Sequence, residues 1–162
     1  MDKKVIDYKK ELNEKGVLAF VPSGNSMWPT LKNKKQSVVI KAKTQKLQPF
    51  DVALYERQPN VYVLHRVIQD TEEGYITCGD SQFTLELVDE DKVFGVMEGF
   101  YRGKKYIEVT DKKYIAKTKR WYKNKNWRKF RIKTFRLSQR IKNKIKRVFS
   151  KIFSKKKANK DV

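Results

Sequence analysis

The feature that most constrains this chain is a break in composition near Lys112. Residues 1–111 hold 17 Lys/Arg and 17 Asp/Glu, whereas residues 112–162 hold 22 Lys/Arg and one acidic residue, Asp161, which together account for all 39 basic and 18 acidic residues. The second segment also lacks Gly and Pro. The 162 residues therefore read as one neutral domain followed by a tail that carries the whole net charge of +21.

Periodicity divides the neutral part further. Residues 2–15 read as a short helix capped by Asp2, with Val5, Tyr8 and Leu12 on one face and Gly16 as its stop. From there the segments are short and rich in β-branched and aromatic residues: "VLAFV", "SVVIKA", "DVALYE", "VYVLHRVI" and "GYITC", separated by turn residues such as Pro49, Pro59-Asn60 and Gly79-Asp80. "KVFGVMEGFYRG" and "KYIEVT" read as a last strand pair, with Gly95 and Gly99 marking a bulge or bend. The expected organisation is a helix over 1–16, a mainly β domain over 17–111 with one helical turn after Ser26, and a basic amphipathic helical tail over 112–162. In the tail Leu137, Ile141, Ile145, Val148 and Ile152 share one helical face, flanked by Phe149 and Phe153.

Several classes are excluded. Cys78 is the single cysteine, so no intramolecular disulfide forms, and one Cys with one His cannot build a metal-ligand cluster. No metal or other cofactor is expected. The N-terminal run lacks the apolar core of a signal peptide, and no window approaches the ~20 apolar residues of a membrane-spanning helix.

Three short segments offer chemistry in order: "GNSMWPTL" with Ser26, "YVLHRVI" with His65, and "TCGDSQ" with Asp80. Each alone has an ordinary structural reading as a turn, a core histidine or a Gly-Asp turn. Together they supply a nucleophile, a base and an acid that could orient the base. A hydroxyl needs a base at neutral pH, and imidazole, with an ordinary pKa of ~6.5, can serve. Alternation places Val61, Val63, His65 and Val67 on one mostly apolar face, which favours neutral imidazole.

These boxes resemble those of the signal peptidase and LexA-like serine peptidases. "SGNSMWPTL" is similar to the nucleophile box, "DVALYERQPNVYVLHRVIQ" to the strand pair that brings in the base, and "GYITCGDSQ" to the Gly-Asp-Asn segment; the match spans roughly residues 17–110. The resemblance implies a β-barrel-type core and peptidase activity. "LHRVI" resembles the Ser-His branch, that of the archaeal, endoplasmic-reticulum and spore-former signal peptidases. It implies Ser26 as nucleophile, His65 as general base and Asp80 as orienting acid, with Asp89 or Asp91 as alternatives for the third place. Lys41, Lys43 and Lys46 lack the family context and read as solvated strand-edge charges. The resemblance further implies an oxyanion site at the Ser26 N–H; Gly24 stands where some relatives carry a helper hydroxyl, and Met27 lies near the substrate pocket. The implied partner is an extended peptide or precursor protein.

Family members usually hold themselves at the membrane with a spanning helix. Here Trp121, Trp127, Ile141, Ile145 and Phe149, set among Lys and Arg, instead suit a helix lying on an anionic membrane, and the charge bias favours a cytoplasmic face. An acidic protein or nucleic acid is the rival partner for the tail, and a solvated tail the plain alternative. The rival functions are a self-cleaving LexA-like regulator and a non-catalytic adaptor at the membrane surface. Residues 1–16 are too few for a DNA-binding domain, which disfavours the first. Oligomeric state is left open.

Overall fold

The computed structural model describes residues 7–158, with side chains through residue 150; Asp2, Val5, Ile152 and Phe153 therefore lie outside the described residues or side chains. The chain divides into two compact units, residues 1–120 and residues 121–162.

In the first unit, α1 (Tyr8–Lys15) starts at Asp7, whose carboxylate accepts from the Lys10 N–H at 3.0 Å. It ends where expected, at Gly16, whose φ of 70° lets its N–H reach Leu12 O. Eight strands follow among the described residues: β1 (Val17–Phe20), β2 (Val38–Ala42), β3 (Val52–Gln58), β4 (Val61–Thr71), β5 (Gly74–Cys78), β6 (Glu86–Val88), β7 (Val93–Arg102) and β8 (Lys105–Glu108). Seven match expected segments. β6, a three-residue strand, was not anticipated.

All the ladders are antiparallel, and the order along the sheet is β1-β2-β7-β3-β4-β5-β6, with β8 on the second half of β7. The mainly β architecture thus holds, and the sheet is open, with β1 and β6 at its ends. The expected irregularity near Gly99 is a bulge: Val39 pairs with Gly99 and the next residue, Ile40, with Met97, which leaves Glu98 as the extra residue. Gly95 has a packing reason. A Cβ there would lie 2.7 Å from Ile40 Cγ2 and 2.9 Å from Leu12 Cδ2. The bare backbone lets α1 sit down on the sheet.

Two apolar clusters form the core. One gathers Leu12, Ile40, Leu54, Met97 and Phe100 with Met27 and Leu31 of the Ser26 loop; the other gathers Leu47, Tyr55, Val67, Tyr75 and Val88. Burying a side chain of this size stabilises by about 1.5–3 kcal/mol. Met27 and Leu31 therefore hold the Ser26 loop to the domain.

The cationic segment forms two helices, α2 (Lys112–Lys123) and α3 (Lys125–Ala158), where one run was expected. The break has a side-chain cause rather than a Gly or Pro: the Asn124 Oδ1 accepts from the Trp127 N–H at 2.9 Å and begins α3 as an N-cap. No helix among the described residues is long and apolar enough to cross a membrane.

Candidate active site

Ser26 stands on the loop between β1 and β2. Gly24 has φ 100°, a conformation that favours glycine, and its N–H donates to Asn33 Oδ1 at 3.0 Å. The chain then makes one turn, Trp28 N–H to Asn25 O at 3.1 Å and Leu31 N–H to Met27 O at 2.8 Å. Asn25 is exposed and Met27 buried, so Ser26 sits at the boundary between surface and core.

The "GDSQ" segment fastens this loop from the other side. Ser81 donates from its N–H to Ser26 O and from its hydroxyl to Asn25 O, both at 2.8 Å. Gly79 makes the approach possible, since a Cβ there would lie 2.9 Å from Ser26 O. Neither the Ser26 N–H nor its hydroxyl has a hydrogen-bond partner among the described residues. Ser26 lines a cleft of about 580 Å³ whose walls also include Gly24, Met27, His65 and Gln82.

His65 enters this cleft from the middle of β4 and is only 4 % exposed. Its Nδ1 lies 3.2 Å from the Tyr55 hydroxyl and 3.8 Å from Glu86 Oε2. Tyr55 in turn donates to Glu86 Oε2 at 2.8 Å. Because the tyrosine proton goes to the carboxylate, its oxygen is left to accept from Nδ1–H. That assigns the proton to Nδ1 and leaves the lone pair on Nε2.

The protonation states follow from the surroundings. Burial pushes the imidazole down to about 4, against the upward pull of Glu86 and the further downward push of Arg57. His65 is neutral at pH 7, as its apolar face led one to expect. Burial likewise pushes the Tyr55 hydroxyl up to about 12, which keeps it a donor. Burial also raises Glu86, but the Arg57 fork (Nε to Oε1 at 2.6 Å, with a second bond to Oε2) and Tyr55 outweigh it and hold the carboxyl below its usual range.

Asp80 is occupied elsewhere. Its Oδ1 and Oδ2 accept from Arg66 Nε and Nη2, each at 2.7 Å, and Oδ2 also accepts from the Thr30 hydroxyl. Arg66 and Asp80 are 0 % and 1 % exposed. Arg66 also donates to Phe50 O at 2.8 Å and to the Tyr114 hydroxyl at 3.2 Å. The hydrogen-bonded chain behind His65 therefore runs through Tyr55 to Glu86, while the Asp80 charge pulls the imidazole pKa upward. Asp80 ties the end of the Ser26 loop, at Thr30, to the residue following His65. Of the alternatives, Asp89 pairs with Lys92, and Asp91 is exposed on the 3₁₀ turn Glu90–Lys92. Lys41, Lys43 and Lys46 pair with Glu98, Glu90 and Asp70, and none lines the cleft. Lys32 does line it.

Sequence reading missed Tyr55, Glu86 and Arg57. The signal for Tyr55 lay in the hairpin register: Ala53 pairs with His65, and Tyr55 is the next residue on the Ala53 face. Glu86 had no comparable signal, because it sits on the unexpected β6, opposite Thr77.

No protein-family model matches this chain, and no curated protein matches it.

Proposed function

We propose that this protein is a serine endopeptidase that cleaves an extended peptide or precursor through an acyl-enzyme on Ser26. The observation that carries the reading is the cleft Ser26 shares with His65, the single histidine, whose Nδ1 is backed by Tyr55 and Glu86. The resemblance to the Ser-His branch of the signal-peptidase-like enzymes, with their barrel-type core, supports the same reaction class.

In this mechanism neutral His65 takes the Ser26 proton at Nε2 as Oγ attacks the scissile carbonyl. The Ser26 N–H donates to the developing oxyanion. Imidazolium is stabilised by Nδ1–H pointing at Tyr55 and, behind it, the Glu86 carboxylate. His65 then gives its proton to the leaving amine. Water then attacks the acyl carbonyl as His65 takes its proton, and the C–Oγ bond breaks as His65 returns that proton to Ser26 Oγ, freeing the acid product and the Ser26 hydroxyl. A base held near 4 abstracts protons weakly, and one N–H is a sparse oxyanion site, since one donor is worth ~10²–10³ in turnover. Slow turnover follows from both.

The experiment that tests the activity is to replace the cellular copy with Ser26→Ala and compare precursors by N-terminal proteomics. An uncut precursor that accumulates in Ser26→Ala and in His65→Gln supports the peptidase. An unchanged set of N-termini in both variants favours the adaptor. A full-length wild-type chain that clips itself while the Ser26→Ala chain does not favours the self-cleaving regulator.

A further inference from the structure

We infer that α3 is a membrane-interface helix whose apolar stripe inserts into an anionic lipid surface. This goes beyond the peptidase reading and stands whether or not Ser26 is a nucleophile.

Seven large apolar side chains of α3 stand in solvent: Trp127, Phe130, Leu137, Ile141, Ile145, Val148 and Phe149, each 50–57 % exposed. At 100° per residue they fall within an arc of about 120°, the width of one amphipathic face. Trp127 and Phe130 stack with centroids 5.8 Å apart at its N-terminal end, and Arg131 lies 5.8 Å from the Trp127 ring. Trp121, expected in the same group, belongs to α2 and is half-buried, so the stripe begins at Trp127.

The flanks decide what covers the stripe. Between Lys125 and Ser150 the helix carries eleven Lys/Arg and no Asp or Glu. A second copy docked along this face would set two such cationic helices side by side, with like charges opposed and no acidic partners. A nucleic acid would satisfy the cations but leave the stripe in water. An anionic bilayer offers both halves, phosphate at headgroup depth for the Lys and Arg and hydrocarbon below for the stripe. α3, 34 residues and about 50 Å long, would lie in the plane of the surface.

The test uses the full chain and sedimentation with vesicles of phosphatidylcholine alone or with about one-third phosphatidylglycerol. Wild type is expected to partition to the anionic vesicles at least about tenfold more strongly than to the neutral ones. The deciding variant is Ile141→Lys/Ile145→Lys, which adds charge while removing part of the stripe. Insertion predicts binding weakened about tenfold or more. Purely electrostatic attraction predicts binding that is equal or tighter, and that result overturns the proposal. Ile141→Ser/Ile145→Ser, which keeps the charge, is expected to weaken binding as well. Circular dichroism of each variant on vesicles guards against simple loss of the helix. Equal binding of wild type to neutral and anionic vesicles, or binding to duplex RNA with none to either vesicle, would also overturn it.

Discussion

The Tyr55 hydroxyl stands 3.2 Å from His65 Nδ1 and donates its own hydrogen bond to Glu86 at 2.8 Å. A buried phenol is thereby interposed between the imidazole and the carboxylate that lies 3.8 Å from it. The charge behind the histidine acts partly through this hydroxyl, and the imidazole is left less basic than one in direct contact with an acid would be.

The first prediction concerns that link. Tyr55→Phe removes the acceptor that fixes the Nδ1–H tautomer but keeps the ring packed. The rate at which a fluorophosphonate acylates Ser26 should fall about ten- to a hundredfold, as for other losses of base positioning. Glu86→Gln should also slow acylation. It should move the acid limb of the pH–rate profile to lower pH, because the Glu86 charge pulls the His65 pKa upward. A purely structural role would lower the yield of folded protein and leave that limb in place.

The second prediction is the pH dependence itself. With His65 near 4, acylation should stay level from pH 7 to 5 and be half lost near pH 4. Stability follows the same linkage. The unfolded histidine protonates near its ordinary 6.5 and the folded one near 4, so as pH falls between them the unfolded state takes up the proton first and is favoured. His65 should withdraw about 3 kcal/mol of stability across that window. Urea unfolding of wild type and His65→Gln at pH 7 and pH 4.5 measures the difference in slope. Equal slopes would contradict the depressed pKa.

The third prediction concerns the pair beside the histidine. Asp80→Asn leaves the Arg66 guanidinium buried without its counter-charge, which should cost about 3–5 kcal/mol in urea unfolding. If Asp80 supplied only orientation to His65, the same change would slow acylation and leave stability intact.

The fourth prediction tests for a rival base. Lys32→Met should leave both the acylation rate and its acid limb unchanged, although Lys32 lines the cleft. A loss of activity comparable to that of His65→Gln would transfer the role of base to lysine.

How far these features could be read from sequence depended on how local their causes are. β3 and β4 follow from alternation and from the Pro59-Asn60 turn between them, and Gly16 and Gly24 follow from backbone conformations that need glycine. The partner of His65 requires the register of several ladders at once. Glu86 lies 31 residues from Tyr55, on a three-residue edge strand too short to show a period. The resemblance of the Gly-Asp segment to the family's third box places Asp80 behind the histidine. In the fold, Arg66, one residue further along β4, takes it, because adjacent residues of a strand point to opposite faces. The break at Asn124 was hidden for a similar reason: a side-chain cap leaves the helical period of the flanking residues intact.

The central claim is that His65 activates Ser26, and one measurement addresses it directly. The full chain is incubated with a fluorophosphonate at pH 7, digested, and mapped by mass spectrometry. The account predicts a single adduct on Ser26 in wild type, reduced at least about a hundredfold in rate in His65→Gln. An adduct on another serine, or labelling of Ser26 at an undiminished rate without the histidine, would contradict it.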